Sequence, residues 1–545
     1  MAKFPPTAKQ IEEGLKAFID SIDPDAVCKL ASLHNSSKAC RIFRDPANGS
    51  YNVCYFVEFE DGTKWVVRIP LEPYISNIWD KVQSEVATIR SYLQTKTTIP
   101  LPRIHAFGRG GIVDEKNPIG HAYIIQSYIP GQSLDILAFR RKGPTQRKYF
   151  YSQLVDIFAQ LCQQEFPYAG SLMPDPDGGT IPLVGPLLSI QLNELQLQNC
   201  ELSIQPARFA SATDFAFHQY HLLDQNYKLP AYKLSREVAE LEIFGLADLK
   251  KRLSSYVDNR LPFVLAHTDL RPSNIIVDES LRIQGIIDWE WASTVPRQFF
   301  LPPTWLAGLP PDRVSGVEYQ IEYRWFRDAL RAGTSESCRQ LASEWDRKLP
   351  TRIDLPLAVT LRHHSCFVNA YYRGVFPKFY KGSREYEVNK FFECDGEDGE
   401  FSLDLQQRLR DSERFTHHME ENGLAPSQRC RESQELREPP ISDSGGIIAP
   451  LDAACPPGAS QGRLVTRYQD PLLVSQAHFF PQLKFLFRLL YLFIDLWNLF
   501  LSLGNRFVDI GRFAPASPLP RPRGALRYHI QETWVDLRDE ITLRL

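Results

Sequence analysis

From residue 53 the apolar side chains recur at every second position, a period that an extended chain buries on one face. Val53, Tyr55, Val57 and Phe59 share that face, Asp61-Gly62 supplies a tight turn, and Trp65-Val66-Val67-Arg68-Ile69 runs back. The period then lengthens. Val82, Val86, Ile89 and Leu93 stand at i, i+4, i+7 and i+11, which draws one apolar stripe along a helix. Glu85 borders the stripe, where its carboxylate can reach back over the sheet. Pro100 and Pro102 end the segment, and a second strand pair is predicted over 104–107 and 122–126 about a glycine-rich turn at 108–111. Residues 127–131 read as a connector. A small α+β lobe is therefore predicted over 35–126, preceded by a helical segment over 1–34.

Helical periodicity dominates beyond the connector. Helices are predicted over 151–165, 213–223, 235–257, 317–332, 335–346, 355–372 and 386–411, so that 127–411 forms a larger, mainly helical lobe. Residues 412–470 are polar and turn-rich and read as a linker that is at least partly disordered. A helical, apolar C-terminal extension is predicted over 471–545. Within it Lys484, Arg488, Tyr491, Asp495, Asn498 and Ser502 make one narrow polar stripe against a wide apolar remainder. That pattern allows packing on the helical lobe and equally allows contact with a membrane interface through 483–503. A spanning helix needs about 20 apolar residues, and the three charges on this stretch argue against one.

Composition narrows the partners. A net charge of −3 over 545 residues carries no basic field for nucleic acid. Ten scattered cysteines with no C-x-x-C pair give neither a disulfide framework nor a metal-type spacing. The N-terminus lacks the apolar run of a secretory signal, so a cytoplasmic protein is expected. Nothing in the composition sets the oligomeric state.

The chemistry is concentrated in one stretch. His267-x-Asp269-x-x-x-x-Asn274 is followed by Ile287-Asp288-Trp289-Glu290. A short hairpin is predicted between them, with a strand over 274–277, a turn over 278–281 and a return strand over 282–287. Asn274 and Asp288 then lie at the two ends away from the turn, where their side chains can converge on one metal. Hard oxygen ligands suit Mg²⁺, which keeps several waters and also binds phosphate oxygens. Asp269, on the preceding loop, is left to orient or deprotonate a hydroxyl. His267 is read as a brace for that loop, and Trp289 either lines the acceptor side or packs in the core. No Walker A sequence is present, which excludes a P-loop ATPase.

These residues resemble the catalytic loop and metal-binding segment of the aminoglycoside phosphotransferase-like family, which includes choline-kinase-like and other small-molecule kinases. The sequence is most similar to the large fungal branch of that family, over about residues 35–400. The resemblance implies a bilobal protein-kinase-like fold and phosphoryl transfer from ATP, with GTP as an alternative nucleotide, to a small-molecule hydroxyl. It makes Asp269 the catalytic base and Asn274 and Asp288 the Mg²⁺ ligands. Arg68 stands where the family places a phosphate-contacting lysine, with Glu85 as its ion-pair partner, and the connector from Gln126 through Ile129, Tyr128 included, contacts the base through backbone groups. Two departures stand out. Arg68 is not a lysine, and the nucleotide-covering loop Asn48-Gly49-Ser50-Tyr51-Asn52 has a single glycine. They motivate an alternative expectation, a pseudokinase or nucleotide-binding interaction module without turnover. The acidic residues Glu290, Asp312, Glu318 and Glu322 allow a cationic acceptor.

Overall fold

The computed structural model describes residues 4–425, apart from 112, 199–206 and 346–354. The extension predicted over 471–545, its stretch at 483–503, and the linker from residue 426 onward lie outside the described residues.

Helices α1 (Ala8–Asp20) and α2 (Pro24–Leu33) come first, separated because Asp23 caps the second and Pro24 opens it. Five strands follow: β1 (Cys40–Asn48), β2 (Asn52–Phe59), β3 (Lys64–Pro70), β4 (Ile104–Gly108) and β5 (Tyr123–Ser127). They form one antiparallel sheet in the order β1-β2-β3-β5-β4. The alternation works as expected. Val53, Tyr55, Val57, Phe59, Trp65, Val67 and Ile69 share one buried cluster with Val27, Leu30 and Ala31 of α2. The intervening positions, Arg68 among them, are thereby turned to the opposite face. That face meets α3 (Ile78–Val86), which continues through a wider turn at Ala87–Leu93. Val82, Val86, Ile89 and Leu93 are all buried there, as the stripe predicts.

The connector leads into the helical lobe through Gly131, whose φ of +128° suits only glycine, and a Cβ there would stand 2.6 Å from the Val277 carbonyl oxygen. The short strand Gln132–Ser133 then pairs with Ile275–Val277, which pairs with Ile283–Ile286, so the predicted hairpin exists and carries a third strand. Helices Pro144–Cys162, Ala212–Lys228, Arg236–Tyr256, Val317–Ala332 and Glu336–Glu344 build the body of the lobe. A sheet-bearing small lobe and a larger helical one make the bilobal kinase-like fold that was expected.

Several boundaries differ from expectation. The helix predicted over 355–372 ends at Arg362, and after one tight turn at His364–Cys366 a second helical run extends over 367–379. That predicted over 386–411 breaks into Arg384–Asp395 and Glu400–Glu421, because Gly396 adopts φ +75° and terminates the first. The second runs past residue 411 into the predicted linker. Its Leu405, Arg408, Ser412, Phe415 and Met419 recur at three- and four-residue intervals and are buried. The two polar members are satisfied: Ser412 donates to the Ala231 carbonyl at 2.7 Å and Arg408 pairs with Asp404 at 2.9 Å. A polar composition hid this face. The helix Ile190–Leu197 was not predicted at all.

Candidate active site

The catalytic-loop stretch is held from several sides. His267 is buried, and its Nε2 lies 2.9 Å from the Ile287 carbonyl oxygen, with the ring 4.6 Å from that of Trp289. Burial pulls its pKa down to about 4, so the imidazole is neutral at physiological pH and acts as the expected brace. Trp289 is in the core, 1% exposed, and its indole N–H donates to the Ile286 carbonyl at 3.1 Å. Thr268 donates to the Trp291 carbonyl at 2.6 Å, Trp305 to the Leu270 carbonyl at 2.7 Å, and Arg362 to the Thr268 carbonyl.

This frame brings the predicted site residues together. The Ile287 amide donates to the Asn274 carbonyl at 3.0 Å, which sets Asn274 beside Asp288. The Asn274 amide nitrogen donates to the Asp269 backbone carbonyl at 2.9 Å and stands 3.5 Å from Asp269 Oδ2. The amide oxygen is therefore turned away from Asp269, and among the described residues the Ser273 hydroxyl approaches it at 3.3 Å. Asp288 has φ +69°, a left-handed backbone that is costly for a residue with a Cβ and is found where the surroundings over-determine it. One amide oxygen and one carboxylate suit Mg²⁺, which fills its remaining positions with water and phosphate oxygens. Among the described residues no group of three or more His, Cys, Asp or Glu is placed to hold a metal unaided. Asp269 has its pKa raised to about 6, first by burial, against Arg271 at 3.3 Å, which acts to lower it, while Asp288 and Glu290 raise it further. A carboxylate so poised takes a proton near neutrality more readily than an ordinary one.

Arg68 crosses from the sheet to this site. It is 4% exposed and uses separate terminal nitrogens for Glu85, which is fully buried, and for Asp288 Oδ1 at 2.5 Å. The predicted ion pair with Glu85 is present, and a bond to the predicted metal ligand accompanies it. Sequence reading missed what surrounds the pair. Lys81, on α3 and 1% exposed, pairs with Glu290, whose Oε2 also accepts from Asn52 at 2.6 Å and lies 3.7 Å from Arg68. For Lys81 the sequence gives only its spacing, four residues before Glu85 and so on the same side of α3, a border position that lysines also take in solvent. The Gly-poor loop also has an explanation, because it is pinned. Tyr51 is buried edge-on to Trp291 at 5.2 Å, and Asn52 is tied to Glu290.

At the connector, Gln126 is buried in β5, and its Oε1 has no hydrogen-bond partner among the described residues. The Tyr128 amide donates to the Lys64 carbonyl at 3.0 Å, so that N–H is spent on the sheet. Its ring stands edge-on to Phe43 at 5.5 Å and Phe56 at 6.2 Å. The carboxylates considered for a cationic acceptor are partly committed elsewhere. Glu290 is in the cluster above, and Glu322 pairs with Arg147 and, at 3.1 Å, with Arg140.

Residues 43–299 match the model of the phosphotransferase enzyme family. Among curated proteins it is similar to clavilactone A biosynthesis cluster protein Y of Ampulloclitocybe clavipes, 25% identical over 272 residues that make up 47% of this chain and 62% of that protein. The chain thus matches less than two thirds of that relative's length. Among solved structures it is similar to a Plasmodium vivax ethanolamine kinase, with 13% identity, a TM-score of 0.36, and coverage of 76% of this chain and 95% of the other. Macrolide 2′-phosphotransferase type I shares 13% identity at a TM-score of 0.33, covering 67% of this chain and 94% of that one. No helix among the described residues is long and apolar enough to cross a membrane.

Proposed function

We propose that this chain transfers the terminal phosphoryl group of ATP, held together with Mg²⁺, to the hydroxyl of a small molecule. The observation that carries the reading is the convergence of Asn274 and Asp288, at the open end of one hairpin, with Asp269 on the loop before it, and Arg68 bonded to Asp288 from the opposite lobe. Asn274 and Asp288 hold the metal in this reading, and Mg²⁺ supplies charge neutralisation of the phosphates when bound. Residues 35–126 form the nucleotide side, with the Gln126 to Tyr128 connector along the base, and residues from 127 form the acceptor side. The acceptor oxygen attacks the terminal phosphorus, the bridging bond to ADP breaks, and the hydroxyl proton passes to the Asp269 carboxylate. The raised pKa of that carboxylate supports the role. The test is nucleotide consumption against a panel of hydroxylated metabolites, with ATP and GTP in parallel, for the wild type and for Asp269→Ala and Asp288→Asn. Loss in both variants is expected; turnover that survives Asp288→Asn would remove the metal role.

One observation favours a second reading. Arg68 bonds directly to Asp288, an arrangement that also suits a nucleotide-binding module without turnover. Thermal stabilisation by Mg-ATP with no consumption on any acceptor would favour it, and robust turnover would remove it.

A further inference from the structure

The ion cluster between the lobes contains a residue to which the catalytic reading gives no task. Lys81 projects from α3 into the interior, 1% exposed, with its ammonium against Glu290 and 3.3 Å from Asn52 Oδ1. An ammonium so placed is several kcal/mol out of place unless something nearby needs its charge. Three carboxylates gather here, those of Glu85, Asp288 and Glu290, and Arg68 lies against all of them: bonded to Glu85, at 2.5 Å from Asp288 and at 3.7 Å from Glu290. One guanidinium cannot neutralise three anions. Without Lys81, the buried Glu290 carboxylate would compete with Asp288 for the same nitrogen, since both distances run from the one terminal nitrogen of Arg68. The same carboxylate anchors Asn52 at the end of the loop between β1 and β2.

We propose that Lys81 is a positioning residue for the metal and nucleotide site, resting on the function proposed above. By neutralising Glu290 it leaves Arg68 to orient Asp288, and it holds Glu290 where Asn52 pins the loop. Lys81 does not touch the phosphates; it acts through Glu290.

The experiment is a Mg²⁺ titration of mant-ATP binding by the full chain, below the melting temperature of each variant. For Lys81→Met the Mg²⁺ concentration at half-binding should rise about tenfold or more, the range seen when a partner of a metal ligand is lost. Lys81→Arg, which keeps the charge, should stay within about threefold of wild type by the same reasoning. Lys81→Gln keeps a donor toward Glu290 without the charge and serves where methionine does not fold; it should show the same rise as Lys81→Met. Adding Glu290→Gln to Lys81→Met removes the competing anion and should bring the Mg²⁺ midpoint back toward wild type. A lysine with only a structural role would change melting and leave the midpoint of the folded protein where it was. Folded Lys81→Met or Lys81→Gln with a wild-type midpoint overturns the proposal. A wild-type chain that shows no Mg²⁺-dependent nucleotide binding overturns the proposed function, and this inference with it.

Discussion

Replacing Arg68 with lysine restores the residue type that the family resemblance leads one to expect, and the structure predicts that it harms this protein. Arg68 spends one terminal nitrogen on Glu85 and the other on Asp288 at 2.5 Å, from a site 4% exposed. A lysine brings one nitrogen to that place, so one of the two charge-assisted bonds is lost. Such a bond is worth about 1.5–3 kcal/mol. If the bond to Asp288 is the one lost, the proposed metal ligand loses its orienting partner. At about 1.4 kcal/mol per tenfold, the Mg²⁺ midpoint for nucleotide binding then rises by roughly 10- to 150-fold. If the lysine stays with Asp288, fully buried Glu85 is left with a missing partner and the same energy appears in stability instead. Two measurements therefore belong together: the Mg²⁺ midpoint, followed with a fluorescent nucleotide, and the urea midpoint of unfolding. Their combined loss should come to about 1.5–3 kcal/mol. An Arg68→Lys protein that matches wild type in both would show that the forked geometry is not used, and the argument from two separate nitrogens would be wrong.

Four further outcomes follow from the site and its frame. Because burial raises the Asp269 pKa to about 6, turnover that needs its carboxylate should fall about tenfold per pH unit below 6 and level off above it; a flat profile from about pH 5 to 8 would remove the base role. The sign for stability is opposite. With the folded pKa above the ordinary 3.8, ionisation costs the native state above pH 6, so Asp269→Asn should raise the urea midpoint at pH 8, and the gain should disappear by about pH 4. Trp289→Ala empties a core position that is 1% exposed and should cost about 3–5 kcal/mol in a urea titration. A loss under about 1 kcal/mol would place the indole outside the core. Metal-free ATP should bind at least about tenfold more weakly than Mg-ATP, because three carboxylates face the two cations Arg68 and Lys81; equal affinities would contradict that charge balance.

Much of this was legible in the sequence because it rests on period and spacing. Alternation from Val53 to Ile69 fixes which face of the sheet is buried and so turns Arg68 toward α3. The spacing of Asn274 and Asp288 across a hairpin places them side by side once the strands pair. Lys81, Glu290 and Arg362 were not legible in the same way. Their partners lie far away in sequence, Glu290 being joined to Asn52 across 238 residues, and no local pattern records such a pairing. The lobe's last helix was ended too early where the chain turns polar at Ser412, whose hydroxyl is buried against the Ala231 carbonyl as Arg408 is against Asp404. A reading by hydropathy takes each of those for solvent-exposed and ends the lobe too early.

The arginine at the family's lysine position reads differently once Lys81 is included. A lysine there would satisfy one carboxylate and leave the other two to be neutralised by something else. Arginine joins Glu85 on α3 to Asp288 across the cleft in a single planar group, so the helix, the sheet and the proposed metal ligand are tied through one side chain. That leaves Glu290 as the odd charge, and a second cation from the same helix, four residues from Glu85, completes the set. Arg68 and Lys81 thus share the three carboxylates between them. A bond from Arg68 to one oxygen of Asp288 does not exclude a metal, because the carboxylate has a second oxygen. The departure that at first favoured a module without turnover is therefore equally the expected form of a site whose metal ligand is oriented from the opposite lobe. The Mg²⁺ dependence of the Arg68 and Lys81 variants, rather than the identity of residue 68, separates the two readings.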